Sequence, residues 1–167
     1  IRIESNHGRT AGRIFGVRTI KGTETQLEKN PQALSLQGDS LLLFSYFKGN
    51  GEDGLHLAYS EDALHWKALK KDQSFLTPAV AKDKLMRDPC ITRGPDGLFH
   101  MVWTVSWNDR GIGYASSKDL VNWSEQVFIP VMAHEPGALN CWAPEITYDP
   151  KAKQFMIYWS TTIPGRF

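Results

Sequence analysis

Short apolar segments separated by turns occupy most of the chain after about residue 40. Residues 41–47, 98–104 and 154–160 are rich in β-branched and aromatic side chains, and each follows a turn. Residues 55–60 and 111–116 alternate between apolar and polar positions and follow glycine-containing connections, as the next strand of a hairpin does. No segment keeps a sustained helical period. The pattern therefore predicts an all-β fold with little helix.

A repeat without gaps connects these segments. The pattern Gly-x-x-x-Ala-x-Ser-x-Asp-x-x-x-Trp occupies residues 54–66 and returns in residues 111–123, at an offset of 57 residues. The same offset carries residues 38–41 onto residues 95–98, and a third copy begins before Phe155. We expect the Ser and Asp of each copy to bond nearby backbone amides in a tight turn, while the Trp packs at the outer edge of the unit.

Short strands in sets of four, repeated at a period of tens of residues, are typical of a β-propeller. Three blade starts fit the repeat of about 57 residues, which predicts a partial propeller over residues 38–167. Residues 1–37 carry only a weak strand signal and are predicted to be an N-terminal extension. An open ring would expose blade faces and strand edges. We therefore expect further C-terminal blades, or a second chain, to complete the ring.

Composition and charge narrow the functional classes. Of the 167 residues, 41% are hydrophobic and 22% are charged, as in ordinary globular domains. The net charge is only +1 and basic residues do not cluster, which argues against nucleic-acid binding. No apolar run approaches the ~20 residues that span a bilayer, so no membrane partner is expected. The first residues lack both Met and the features of a signal peptide, so we expect a processed or trimmed N-terminus.

Two cysteines, Cys90 and Cys141, could form a disulfide or remain as small buried thiols. They have neither CxxC spacing nor a nearby pair of histidines, so the sequence offers little support for a zinc site. His100 lies within a predicted strand and is interpreted as a core histidine rather than a metal ligand. The sequence predicts no metal site.

Two segments depart from simple strand patterns: residues 87–91 (RDPCI) and residues 141–146 (CWAPEI). Because residue 145 follows residue 88 by one period, Asp88 and Glu145 are expected at equivalent places in consecutive blades, facing one mouth of the channel. Glycoside hydrolysis needs carboxyl groups on both sides of the scissile bond. An isolated Asp-Pro is more commonly a turn, but repeated acids flanked by Arg87 and Trp142 favour a sugar site.

Aromatic side chains and one loop supply further candidates for sugar contact. Trp103, Trp107 and Phe47 could stack on a sugar ring, and hydrophobic packing between blades is the alternative for each. Asn108, in a loop that joins two predicted strands, could bind sugar hydroxyls or belong to an exposed turn. The sequence leaves both interpretations open.

Three motifs resemble the opening blades of enzymes of glycoside hydrolase family 43. They are residues 43–50 (LFSYFKGN), residues 87–89 (RDP) followed by residues 95–97 (PDG), and residues 142–145 (WAPE). The resemblance covers about residues 38–167. It implies a five-bladed β-propeller that hydrolyses arabinose- or xylose-containing oligosaccharides or polysaccharides with inversion at the anomeric carbon. The implied activity is that of an α-L-arabinofuranosidase or a β-xylosidase.

The resemblance also implies roles for individual residues. Asp88 corresponds to the general base that deprotonates a water, and Trp142 and Glu145 line the sugar pocket. The two other acids of the family, an Asp that tunes the general acid and a Glu that protonates the leaving group, would lie beyond Phe167. A pairing of Asp88 as base with Glu145 as acid is less favoured, because a Glu beside Trp and Pro suits sugar hydroxyls better. This chain alone is therefore expected to lack the general acid.

The resemblance extends to ligands and location. Some family members hold an ion in the channel, so a calcium ion is allowed here, although no residue is assigned to it and no other cofactor is expected. The expected partner is an oligosaccharide or polysaccharide substrate, and the expected location is secreted or periplasmic. The competing hypotheses are a non-catalytic propeller module that binds carbohydrate or protein, and an inactive fragment.

Overall fold

The computed structural model describes residues 2–4, 11–17 and 41–165. Within these ranges the chain is all-β, apart from a short 3-10 turn at Leu69–Asp72. The strands are β1 (Arg2–Glu4), β2 (Ala11–Val17), β3 (Leu41–Tyr46), β4 (His56–Ser60), β5 (Lys67–Ala68), β6 (Arg87–Arg93), β7 (Phe99–Thr104), β8 (Ile112–Ser117), β9 (Val127–Ile129), β10 (Trp142–Asp149) and β11 (Gln154–Ser160). They form three antiparallel sheets, which we call blade 1 (β1 to β5), blade 2 (β6 to β9) and blade 3 (β10 and β11).

The blades pack face to face through two apolar cores. Blade 2 contributes to both cores, because successive side chains of a strand point to opposite faces of the sheet. On β7, Met101 and Trp103 face blade 1, whereas Val102 faces blade 3. The first core, between blades 1 and 2, includes Leu43, Leu57, Ile91, Met101, Trp103 and Ala115. The second core, between blades 2 and 3, includes Val102, Ile112, Cys141, Ile146, Ile157 and Trp159. Consecutive sheets stacked in this way form a partial β-propeller, which confirms the fold predicted from the repeat.

The N-terminal segment, which carries only a weak strand signal in its sequence, contributes two strands, β1 and β2, to blade 1. The backbone of β2 pairs with β3 from Gly12 opposite Tyr46 to Val17 opposite Leu41. Residues 11–17 therefore belong to the sheet of blade 1, although they lie in the range predicted to be an extension. Residues 5–10 and 18–40 lie outside the described residues. The domain boundary near residue 37 therefore stays a prediction.

The repeated Ser-x-Asp-x-x-x-Trp motif forms the tight turn that its sequence predicts. In blade 2 the Asp119 carboxylate accepts hydrogen bonds from the backbone amides of Val121 and Asn122, and the Ser117 hydroxyl accepts one from Leu120. The Trp123 indole donates to the Leu120 carbonyl. The copy in blade 1 makes the corresponding bonds. Desolvation opposes ionisation of Asp119, but these bonds outweigh it and hold the pKa of Asp119 below its ordinary value.

Replacing Asp119 with Ala is expected to lower the free energy of unfolding by about 1–2 kcal/mol, because the amides of the turn lose a charged acceptor. Urea denaturation followed by circular dichroism measures the change. Lys118→Ala, at the exposed neighbouring position of the same turn, is the control and should stay within about 0.5 kcal/mol of the wild type. Equal stability of the Asp119 variant and the control would contradict a structural role for the motif.

A β-bulge before a proline interrupts the innermost strand of blades 2 and 3. The register of β6 against β7 shifts just after Arg87, and that of β10 against β11 shifts just after Trp142. Asp88 and Ala143 occupy the two bulges, both with φ of 48°, in the left-handed region that residues other than glycine seldom adopt. Asp88 is thus equivalent to Ala143, at an offset of 55 residues. The predicted equivalence of Asp88 and Glu145 is wrong.

The physical reason is a difference in connection length. From the motif Trp to the bulge there are 22 residues in the first copy (66 to 88) and 20 in the second (123 to 143). The offset between corresponding residues is therefore 57 in the hairpin motif and 55 at the bulge. The next blade repeats β7 faithfully, since Phe155 and Trp159 take the places of Phe99 and Trp103.

Candidate active site

Two loops and two strand starts meet at one end of the blades, which we call the mouth. They are the β3–β4 loop, the β7–β8 loop and the first residues of β6 and β10. Antiparallel pairing explains the arrangement. Strands β3 and β7 end at the mouth, and strands β4, β6, β8 and β10 begin there. Most of the residues singled out from the sequence lie at this end.

Arg87 is held between two aromatic rings at the mouth. Its guanidinium carbon lies 4.8 Å from the ring centroid of Phe47 and 4.3 Å from that of Trp107, within the range of cation–π attraction. One guanidinium nitrogen also donates to the Asn50 side-chain carbonyl at 2.9 Å. Phe47 is only 2% exposed, so it packs under Arg87 and presents no free face for sugar stacking.

Asn50 and Trp107 connect loops of all three blades. The Asn50 side-chain oxygen accepts a second hydrogen bond, from the Trp107 indole at 3.0 Å, and the Trp142 indole donates to the Trp107 carbonyl at 3.0 Å. The Trp107 and Trp142 rings meet edge to face, with centroids 5.6 Å apart and planes at 88°. Trp107 remains 43% exposed. The two indoles therefore form a corner with an accessible aromatic face.

Asn50 is a site residue that the sequence interpretation missed. The signal was present in the repeat, because Asn50 lies one period of 57 residues before Trp107, in the corresponding loop of the preceding blade. Asn108, which was predicted to bind sugar, is exposed beside Trp107, and its backbone amide donates to the Ser106 hydroxyl. Trp103, the third candidate for stacking, is fully buried in the first core and cannot contact a ligand.

The Asp88 carboxylate is partly exposed at the start of β6 and is tied to blade 3 through one side chain. The Thr104 hydroxyl, at the end of β7, donates to Asp88 Oδ2 at 3.2 Å and accepts a hydrogen bond from the Ala143 amide at 2.8 Å. Bulges re-aim side chains and are common next to active sites. Here the bulge and Thr104 together fix where the carboxylate lies.

Glu145 lies on a different face from the residues that join blades 2 and 3. It pairs across the strands with Tyr158, whose hydroxyl donates to its carboxylate. Ile146 and Ile157, on the opposite face of the same strands, pack against blade 2. Glu145 therefore projects away from blade 2. The structure joins Asp88, Arg87, Trp107 and Trp142 into one network, whereas Glu145 projects from the far face of blade 3.

A second polar cluster occupies the other face of blade 1 and shares no residue with this network. His56 is 1% exposed, and its Nε2 lies 2.8 Å from an Asp53 carboxylate oxygen. The Tyr46 hydroxyl donates to Asp72 at 2.6 Å. Burial, reinforced by Asp72, raises the pKa of Tyr46, and the bond from Tyr46 holds the pKa of Asp72 below its ordinary value. The cluster ties the 3-10 turn to strands β3 and β4.

The cysteines and the possible metal ligands take no part in the site. Cys90 and Cys141 are free thiols, and burial, with a smaller contribution from Asp109, raises the pKa of Cys141 to about 11. Among the described residues, no group of three or more His, Cys, Asp or Glu side chains could hold a metal ion. The calcium ion that the resemblance allows stays a prediction. The described part of the chain contains no helix long and apolar enough to cross a membrane.

Two solved structures are similar to this chain. A candidate glycosidase from Bacteroides thetaiotaomicron has 21% sequence identity and a TM-score of 0.49, over 74% of this chain and 42% of that one. An exo-β-1,3-galactanase from Phanerochaete chrysosporium has 13% identity and a TM-score of 0.47, over 92% of this chain and 35% of that one. The chain thus spans less than half the length of either structure.

Among curated proteins, none matches the chain in sequence. A family model does match, over residues 40–165, which include all three blades from β3 onward and every residue of the site. The family is described as a probable glycosyl hydrolase domain and is related by name to glycosyl hydrolase family 43. The chain belongs to this family of glycosyl hydrolase domains.

Proposed function

We propose that this chain supplies the general base and part of the sugar-binding surface of an inverting glycosidase. The observation that carries the proposal is the position of Asp88. A partly exposed carboxylate, oriented by a bulge and by Thr104, stands in the network that contains an accessible Trp107 face. Glycoside hydrolysis requires carboxyl groups at the scissile bond, and an exposed aromatic face can stack on a sugar ring.

In the proposed reaction Asp88 takes a proton from a water molecule, and the water oxygen forms a bond to the anomeric carbon. The bond from that carbon to the leaving oxygen breaks on the opposite side of the ring, and a carboxylic acid protonates the leaving oxygen. Glu145 projects away from blade 2 and is already bonded by Tyr158, so we assign it no proton transfer. The acid would come from a part of the protein other than the described residues.

We further propose substrates that contain arabinose or xylose, and a secreted or periplasmic location where such polysaccharides occur. The support is the resemblance of residues 87–89 and 142–145 to the motifs of arabinofuranosidases and xylosidases. Trp107 and Trp142 would hold the sugar at the mouth, and the free donors of Arg87 and the exposed Asn108 would bond its hydroxyls.

The test is hydrolysis of nitrophenyl α-L-arabinofuranoside and nitrophenyl β-xyloside by the full-length polypeptide that contains this chain, with the anomeric configuration of the first product read by proton NMR. Hydrolysis with inversion of configuration supports the proposal. Product of retained configuration, or no hydrolysis of either glycoside, contradicts it.

A second candidate function is carbohydrate binding without catalysis. The exposed Trp107 indole favours this function, because it offers a face for sugar stacking, and binding alone does not need a general acid. Replacing Trp107 with Ala is expected to weaken binding of arabino- or xylo-oligosaccharides about tenfold, which is the usual size of one lost aromatic contact. Tryptophan fluorescence titration measures the affinity. Trp66→Ala, at the outer edge of blade 1, is the control and should bind like the wild type. Equal affinity of both variants would remove the corner from the binding surface.

A further inference from the structure

Thr104 makes the polar connection between Asp88 and the neighbouring blade. It is 2% exposed and lies at the last position of β7, opposite Arg87 across the strands. Its hydroxyl oxygen is 3.2 Å from Asp88 Oδ2 and 2.8 Å from the Ala143 amide nitrogen. Thr104 therefore contacts the bulge of its own blade and the bulge of the next blade at once.

The direction of these two hydrogen bonds follows from the chemistry of the groups. The Ala143 N–H can only donate, so the Thr104 oxygen accepts there and its single proton remains for Asp88. An ionised carboxylate accepts that proton in a charge-assisted bond. This bond goes to Oδ2, and none of the hydrogen bonds described for residues 41–165 goes to Oδ1. Oδ1 is then the oxygen available to a water at the mouth.

We propose that Thr104 is a positioning residue for the general base: it holds Asp88 Oδ2, directs Oδ1 toward the attacking water, and makes this orientation depend on the docking of blade 3. The inference rests on the proposed function of Asp88. The hydroxyl at this place is not common to all blades, because Phe47 has the corresponding position in blade 1, 57 residues earlier, whereas Ser160 has it in blade 3. In blade 3 the position of Asp88 is taken by Ala143, so no acid is held there.

The test compares variants of the full-length polypeptide on an activated aryl glycoside. Thr104→Val removes the hydroxyl and keeps the shape, and it is expected to lower kcat about 10- to 100-fold, the value of one lost bond to a charged group, with KM within about threefold of the wild type. Thr104→Ser restores the hydroxyl and should restore kcat to within about threefold. Thr104→Ala is a second variant without the hydroxyl, used if Thr104→Val does not fold.

A double-mutant cycle separates positioning from a merely structural role. If Thr104 acts through Asp88, adding Thr104→Val to Asp88→Ala lowers the residual turnover no further. A full additional loss in the double variant overturns the inference, as do wild-type turnover by Thr104→Val or equal impairment of the Val and Ser variants. Undiminished turnover by Asp88→Ala alone is a different result, because it removes the proposed base itself.

Discussion

Turnover of an aryl arabinofuranoside or xyloside is expected to fall at least about a hundredfold when Asp88 is replaced with Asn or Ala, since general-base catalysis is typically worth about 10²–10⁴-fold. Asp88→Asn keeps the size of the side chain and its bond from Thr104, but the amide cannot take the proton of the attacking water. KM should change much less than kcat, because the sugar would be held mainly by the indole corner of Trp107 and Trp142.

The choice of substrate makes this measurement specific for the base. A nitrophenolate leaves with little need of protonation, so the rate depends on attack by water rather than on proton donation by a general acid. Glu61→Gln, an exposed carboxyl-to-amide change in the turn of blade 1, is the matched control and should keep wild-type kcat and KM. Comparable activity of the Asp88 and Glu61 variants would exclude Asp88 from the mechanism.

The largest loss of stability is expected for Trp103→Ala. Trp103 has no exposed surface and fills the first core between blades 1 and 2. Truncating a buried Trp costs about 3–5 kcal/mol, against a total stability of roughly 5–15 kcal/mol for a typical domain. The two blades should therefore lose their packing together. Chemical denaturation followed by far-UV circular dichroism measures the change in the unfolding midpoint.

Gly113 leaves the space that the Trp103 indole occupies. It pairs with Trp103 across β7 and β8, and a β-carbon on Gly113 would lie 2.0 Å from the indole ring. Trp103→Phe should be much milder than Trp103→Ala, because it keeps an aromatic ring and the indole N–H has no hydrogen-bond partner to lose among the described residues. Trp107→Ala removes a partly exposed indole with one hydrogen bond and its ring contacts, and should cost about 1–2 kcal/mol, clearly less than Trp103→Ala. Equal losses for Trp103→Ala and Trp107→Ala would contradict the assignment of the core.

The sequence predicted the structure well where the structure depends on residues that are close together in the chain. The segments predicted as strands correspond to β3, β4, β7, β8 and β11, within one residue at each end. The turn bonds of Asp119 and its counterpart Asp62 were predictable because they join residues two or three positions apart. The indole corner could be foreseen only in part, since the sequence suggested Trp107 and Trp142 but not the Asn50 carbonyl on which Trp107 depends.

By itself, the sequence determined the all-β class, the repeated hairpin and its turn, and the candidate acid of the mouth, because strand alternation and Asx turns are set by contacts within a few residues. The tertiary structure alone decided which residue is equivalent to Asp88, which face carries Glu145 and which hydroxyl holds the carboxylate. The equivalence changes because the connection that precedes the second bulge is two residues shorter. The direction of the side chains depends on the bulges before Pro89 and Pro144. A shift of one residue in register moves every later side chain to the other face of a sheet, and only pairing with a distant strand sets that register.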